Sequence, residues 1–308
     1  MPDLFLVYVR LFSWILVGWF AGRFLPLAVP IYLGKFLFWI GVPIGVLAFL
    51  RHAQVSWSLW LAPACAWLAI LLGSSLAWTV LHARSSATHV PEHRTRGSFL
   101  LAAMLGNTGY IGFPVSLALV GSDQFAWALF YDLLGSTPGA YGLGVAIAAR
   151  FGSHAVSGWQ SLRTLLQNPT LWSFGVGLWG RNWPLPALIE SGLSTLGWSM
   201  VALALLLVGM RLSQLHGLRT IQPALVSVGI KMLVVPLVVG TGLWLLGIRG
   251  PVHRVLLLQM AMPPAFATLV LAEAYELDSE LAVTAIAIGT VGLLGLLPFW
   301  LWLFGDPS

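Results

Sequence analysis

Apolar residues fill long unbroken runs of this chain, and short polar stretches separate the runs. A helix with one buried face is apolar at every third or fourth position. A helix surrounded by hydrocarbon is apolar all round and needs about 20 residues to cross a bilayer. The runs follow the second pattern and predict ten spanning helices, near residues 4–22, 29–50, 57–81, 98–120, 124–149, 168–182, 189–210, 223–247, 253–274 and 280–304. The sixth is the shortest, opened by Asn168-Pro169 and closed by Arg181-Asn182-Trp183-Pro184.

Two runs carry helix-breaking sequence in their interior. The fourth contains Gly106-Asn107-Thr108-Gly109-Tyr110-Ile111-Gly112-Phe113-Pro114, and the ninth contains Met262-Pro263-Pro264-Ala265. Each unpaired backbone N–H or C=O in hydrocarbon costs several kcal/mol, so a broken helix persists at membrane depth only where protein or a watery cavity satisfies it. Paired interruptions at corresponding places in two halves of a chain point to a transporter's binding site. The halves do correspond. Ser122-Asp123-Gln124-Phe125-Ala126 matches Asp278-Ser279-Glu280-Leu281-Ala282 at an offset of 156, and the same offset sets Asn107 and Thr108 opposite Pro263 and Pro264. Five spans per half is an odd number, so the second half inserts upside down. The predicted organisation is a first five-helix repeat over 1–149, a cytoplasmic connection over 150–167 and an inverted second repeat over 168–308.

Composition supports this class and excludes others. With 58% hydrophobic and 8% charged residues and a mean hydropathy of +0.89, the chain is far from the roughly 25% charged content of soluble domains. The net charge of +5 does not imply nucleic acid, because the arginines are spread over the loops rather than gathered on one face. Arg23, Arg84, Arg94, Arg96, Arg150, Arg163, Arg211 and Arg219 fall in odd-numbered loops, against Arg51, Arg181, Arg249 and Arg254 in even ones. That asymmetry places the odd loops in the cytoplasm and both termini outside. Met1-Pro2-Asp3 lacks the basic start of a signal peptide, so the first span is expected to be retained. The single cysteine, Cys65, lies within the third span and excludes an intrachain disulfide.

The run from Asn107 to Pro114 resembles the signature of the auxin efflux carrier family, whose bacterial members are described as carboxylate permeases. Further likenesses are Met262-Pro263-Pro264-Ala265 followed by Leu271-Ala272-Glu273-Ala274-Tyr275, Asn168-Pro169, and Lys231-Met232-Leu233-Val234-Val235-Pro236. The resemblance covers nearly the whole chain. It implies an all-α, ten-helix inverted repeat of the bile-acid symporter and sodium/proton antiporter superfamily. In that fold helices four and nine are broken and cross near the midplane, while helices one, two, six and seven form a scaffold. The doubled proline of the ninth span and Tyr131-Asp132 of the fifth depart from the family pattern.

The physics of the breaks agrees with that implication. A broken helix presents the N-terminus of its second half, where free N–H groups and the helix dipole favour an anion such as a carboxylate. Asn107 offers oriented donors and an acceptor, or alternatively braces the freed backbone. Gly109 and Gly112 allow close backbone approach to a ligand, and Thr268 offers a hydroxyl from the opposite break. With Thr108, Pro114, Pro263 and Pro264 these residues make up the predicted substrate site. Arg10 and Lys35, near span ends, are expected to snorkel to the headgroups. Asp132 and Lys231 are deeper, at similar depths by helical rise, and are candidates either for ion coupling or for a structural salt bridge.

Other motifs carry less. His89-Val90-Pro91-Glu92-His93 fits a metalloprotease pattern that needs a helix, which Pro91 opposes. Gly289, Gly292 and Gly295 follow no strand and read as helix packing. Residues 150–167, with Trp159, Leu162, Leu165 and Leu166 among basic positions, are expected to form an amphipathic surface helix. The function expected is secondary transport of a small organic anion, with a sodium-coupled bile-acid-like symporter and a membrane-embedded lipid or prenyl enzyme as alternatives. Expected partners are the bilayer, the anion and a coupling proton or sodium ion, without nucleic acid, metal or cofactor. A homodimer is compatible with this reading.

The arginine asymmetry makes a direct prediction. In a Cys65→Ser background, a cysteine at Ser86 reacts with impermeant maleimide only from the cytoplasmic side and one at Ser308 only from outside. The reverse pattern refutes the orientation, and labelling of both from one side refutes the even number of spans.

Overall fold

The computed structural model describes residues 2–85, 92–153, 158–214 and 220–304. Among these the chain is helical between its turns, with one isolated backbone bridge. It is an all-α membrane protein. Five helices are long and apolar enough to cross a bilayer: Ala28–Leu50, Trp57–Ala83, Ala187–Ser213, Ile221–Leu245 and Ser279–Leu303. Leu11–Phe24 and Thr108–Val120 are shorter apolar helices. His89 and Pro91 of the metalloprotease-like motif lie outside the described residues, as does the side chain of Arg10. Of the expected surface helix the structure describes Gly158–Leu166, with Trp159, Leu162 and Leu166 exposed.

The elements begin where local chemistry starts helices. Asn168 accepts a bond from the Thr170 amide at 3.0 Å, with Pro169 in the first turn. Asp278 accepts from the Leu281 amide at 2.9 Å and holds the Thr95 hydroxyl at 2.9 Å with its other oxygen. Each cap supplies a partner for an N–H that a helix start leaves free.

Two compact units interleave along the sequence. One comprises residues 1–59, 109–129 and 166–215, and the other 60–108, 130–165 and 216–308. In the first unit Pro2–Phe24 packs along Ala187–Ser213. A Cβ on Gly18 would collide with the Leu206 carbonyl, and one on Gly209 with the Ile15 carbonyl. The two backbones therefore touch, as small residues permit where lipid offers no hydrophobic drive for association. At one end of this unit Arg51 grips both carboxylate oxygens of Glu190, at 3.1 and 3.0 Å, and the carbonyls of Gly180 and Trp183.

The second unit is organised around proline. Inside a helix, proline lacks the N–H that the carbonyl four residues earlier would accept from. Pro138 leaves Leu134 in that position, and the Trp67 indole donates to the Leu134 carbonyl at 3.3 Å. Pro236 leaves Met232, and the buried Trp300 indole donates to its carbonyl at 3.2 Å. Both prolines follow turns of π-helix, Asp132–Ser136 and Ile230–Val234, a local widening that often accompanies function. Tryptophan thus acts here as a donor to the backbone of another helix.

These indole bonds can be weighed separately. Trp300→Phe keeps most of the ring volume but strands the Met232 carbonyl, and should cost about 1–3 kcal/mol of stability. In a Pro236→Ala background, where an amide again becomes available to that carbonyl, the same change should cost less. A double-mutant cycle read by denaturation in detergent measures the difference; equal losses in both backgrounds would exclude this role for Trp300.

Candidate functional site

Helix His93–Met104 stops at Leu105, whose φ of −97° and ψ of 119° are extended. The chain turns helical again at Thr108, first as a π turn over Thr108–Gly112 and then as Phe113–Val120. The interruption is thus narrower than the sequence pattern predicts, because helical backbone resumes at Thr108 and runs through Pro114, which follows its π turn as Pro138 and Pro236 follow theirs. The ninth-span break is similar. Helix Gly250–Met260 ends, and Phe266–Ala274 begins after an extended Ala265.

The two breaks satisfy one another. The Asn107 amide donates to the Pro263 carbonyl at 2.7 Å, and the Ala265 amide donates to the Leu105 carbonyl at 3.1 Å. These bonds flank an antiparallel bridge between Gly106 and Pro264. Extended backbone deep in a membrane protein needs such partners, and here each break supplies the other's. Pro263 and Pro264 are supported from behind by Gly289, where a Cβ would come within 2.7 Å of the Pro264 ring and 3.0 Å of Pro263.

Two ionisable side chains border this crossover. Lys231 is 3% exposed, and its Nζ donates to the Met260 carbonyl at 2.5 Å. Asp132 is 9% exposed; one oxygen accepts from the Thr108 hydroxyl and the other from the Thr137 hydroxyl at 3.4 Å. Among the described residues no ion pair joins Asp132 to Lys231, so the pairing allowed by their matched depths is not formed. The reason lies in the breaks. Pro264 has no N–H for Met260, and the lysine reaches that stranded carbonyl, while hydroxyl donors occupy the carboxylate.

Six predicted residues, Asn107, Thr108, Asp132, Lys231, Pro263 and Pro264, meet in the second unit. Thr268 belongs to the same unit, but its hydroxyl donates back to the Ala265 carbonyl at 2.7 Å. Gly109, Gly112 and Pro114 belong to the first unit. There Gly109 and Pro114 line an apolar cavity of about 30 Å³ with Gly41, Gly45, Phe49 and Gly197, roughly room for one water. Gly112 caps the new helix. Sequence reasoning missed Gly106, Thr137 and the Met260 carbonyl. Counting back four residues from Pro264 would have found Met260. Gly106 leaves room for the lysine, since a Cβ there would lie 3.0 Å from both Cε and Nζ of Lys231.

A transporter described as uncharacterized in Methanocaldococcus jannaschii is 31% identical over 214 residues, covering 67% of this chain and 68% of the relative. The chain belongs to the auxin efflux carrier-like membrane transport family. A second relative, an uncharacterized transporter of Methanothermobacter thermautotrophicus, is 29% identical over 234 residues, covering 75% of each protein. The family model described as membrane transport protein matches residues 153–301. In this member of the auxin efflux carrier-like family that match includes Lys231 and the ninth-span break, while the fourth-span break and Asp132 lie before it.

The Asp132 contacts yield a test. Thr108→Val keeps the side-chain shape but removes a donor to a buried carboxylate, and should cost about 1–3 kcal/mol. Thr108→Ser should retain most of the wild-type stability. Equal thermal midpoints for the Val and wild-type proteins would show that the hydroxyl contributes nothing.

Proposed function

We propose that the protein is a secondary carrier moving small organic anions, carboxylates first among them, across the cell membrane by alternating access at the crossover of its two broken helices. The observation that carries this reading is the reciprocal pairing of the breaks, with two buried ionisable groups beside it, in a member of a membrane transport family. An apolar chain has no structural need for such a feature. A continuous helix would satisfy its own backbone, so the interruption has a purpose that the membrane alone does not supply. Half-helix N-termini and the side-chain carboxamide of Asn107 fit a carboxylate.

The reading includes the ten-span inverted repeat, with repeats over 1–149 and 168–308 and both termini outside. The equivalence of the two breaks and the arginine asymmetry support it. Asp132 is the proposed proton-coupling group. A carboxyl held by two hydroxyls can take a proton without leaving a buried charge unpaired, and in its neutral form it would repel a bound anion less. The two threonines let it accept hydrogen bonds when charged and lose little when neutral.

Two variants test the proposal. In proteoliposomes screened with labelled mono- and dicarboxylates, Asn107→Ala should abolish transport and substrate-dependent stabilisation, while membrane insertion is retained. Unchanged apparent affinity would leave Asn107 as a backbone brace only. Asp132→Asn should keep binding but flatten the pH dependence of uptake. A mutant with the parental pH profile would place coupling elsewhere.

A further inference from the structure

We infer that the carbonyl end of the broken helix Gly250–Met260 is a cation site and that the ammonium of Lys231 is its tethered occupant. The end of a helix concentrates roughly half a negative elementary charge on its last free carbonyls. At this end the deficit is deepened by sequence, because Pro264 can return no amide to the carbonyl of Met260, four residues before it. In secondary transporters such half-helix carbonyl ends coordinate sodium. Here the Lys231 Nζ stands 2.5 Å from the Met260 oxygen.

The surroundings are those of a cation held by dipoles. Among the described residues no carboxylate pairs with Lys231, although the side chain is only 3% exposed. A Cβ at Gly106 would lie 3.0 Å from Nζ and 3.4 Å from the Met262 carbonyl, so a second backbone oxygen borders the same small region. The hydroxyls that hold Asp132 face the other border of the crossover, at Thr108. An ammonium and an alkali cation make the same demand, for hard oxygen ligands in a site closed to water. The lysine meets it without an ion from solution.

The functional consequence rests on the proposed transport site: a cation fixed to the chain stays when substrate leaves, so no free cation is carried at this position. The site itself stands or falls on stability alone. Lys231→Ala removes three methylenes and the nitrogen, the shape of n-propylammonium. The purified variant in nanodiscs should melt several degrees below wild type. n-Propylammonium chloride should restore at least half of that loss, and choline chloride or n-propanol should not. The wild-type midpoint should be the same in sodium chloride as in choline chloride.

Equal rescue by n-propanol would overturn the inference by showing that volume alone was missing. A wild-type midpoint that rises with sodium over choline would overturn it by showing that the site takes a free ion. Should Lys231→Ala not fold, Lys231→Met keeps the stem without the charge. A fall of several degrees supports the inference, and a wild-type midpoint overturns it. Loss of transport in Asn107→Ala tests the carrier reading separately, because none of these melting measurements requires a substrate.

Discussion

A backbone carbonyl with no donor costs several kcal/mol at membrane depth, and much of the second unit is arranged to avoid one. Proline creates the deficit at Leu134, Met232 and Met260. The answers are an indole, another indole and an ammonium, from Trp67, Trp300 and Lys231. Each donor comes from a distant part of the sequence, so each proline ties two helices together. A residue usually described as a helix breaker becomes here a means of joining helices, because the carbonyl it strands can be satisfied only from outside its own helix.

The crossover applies the same rule to main chain alone. Leu105 and Pro263 would be stranded if either break existed without the other, and the bridge at Gly106 and Pro264 satisfies both. The ionisable groups then take their places by what remains. Lys231 goes to the carbonyl that no amide can reach, and Asp132 to the hydroxyls of Thr108 and Thr137. Each has its own hydrogen-bond partner where it stands.

Much of this was legible beforehand. The apolar runs showed a helical membrane protein, the caps at Asn168 and Asp278 showed where helices start, and the two breaks pointed to one another through their offset. Depth arithmetic brought Asp132 and Lys231 to similar levels and left a salt bridge and ion coupling both open, because helical rise says how deep a side chain sits and nothing about which partner is nearer. Thr137 escaped notice because it follows Asp132 by five residues, a spacing that faces the same way only in a π turn. The role of tryptophan was also hidden. At span ends it reads as an interfacial anchor, and only the position of a proline on another helix turns Trp67 and Trp300 into internal donors.

The bridge between the breaks is made entirely of main-chain atoms. Side chains beside it can therefore change without altering the hydrogen bonds that hold it. The chemistry presented at the crossover can thus be altered one residue at a time, with the frame that presents those residues left intact. Architecture and local chemistry are carried by different atoms of the same few positions, so one can change while the other is kept.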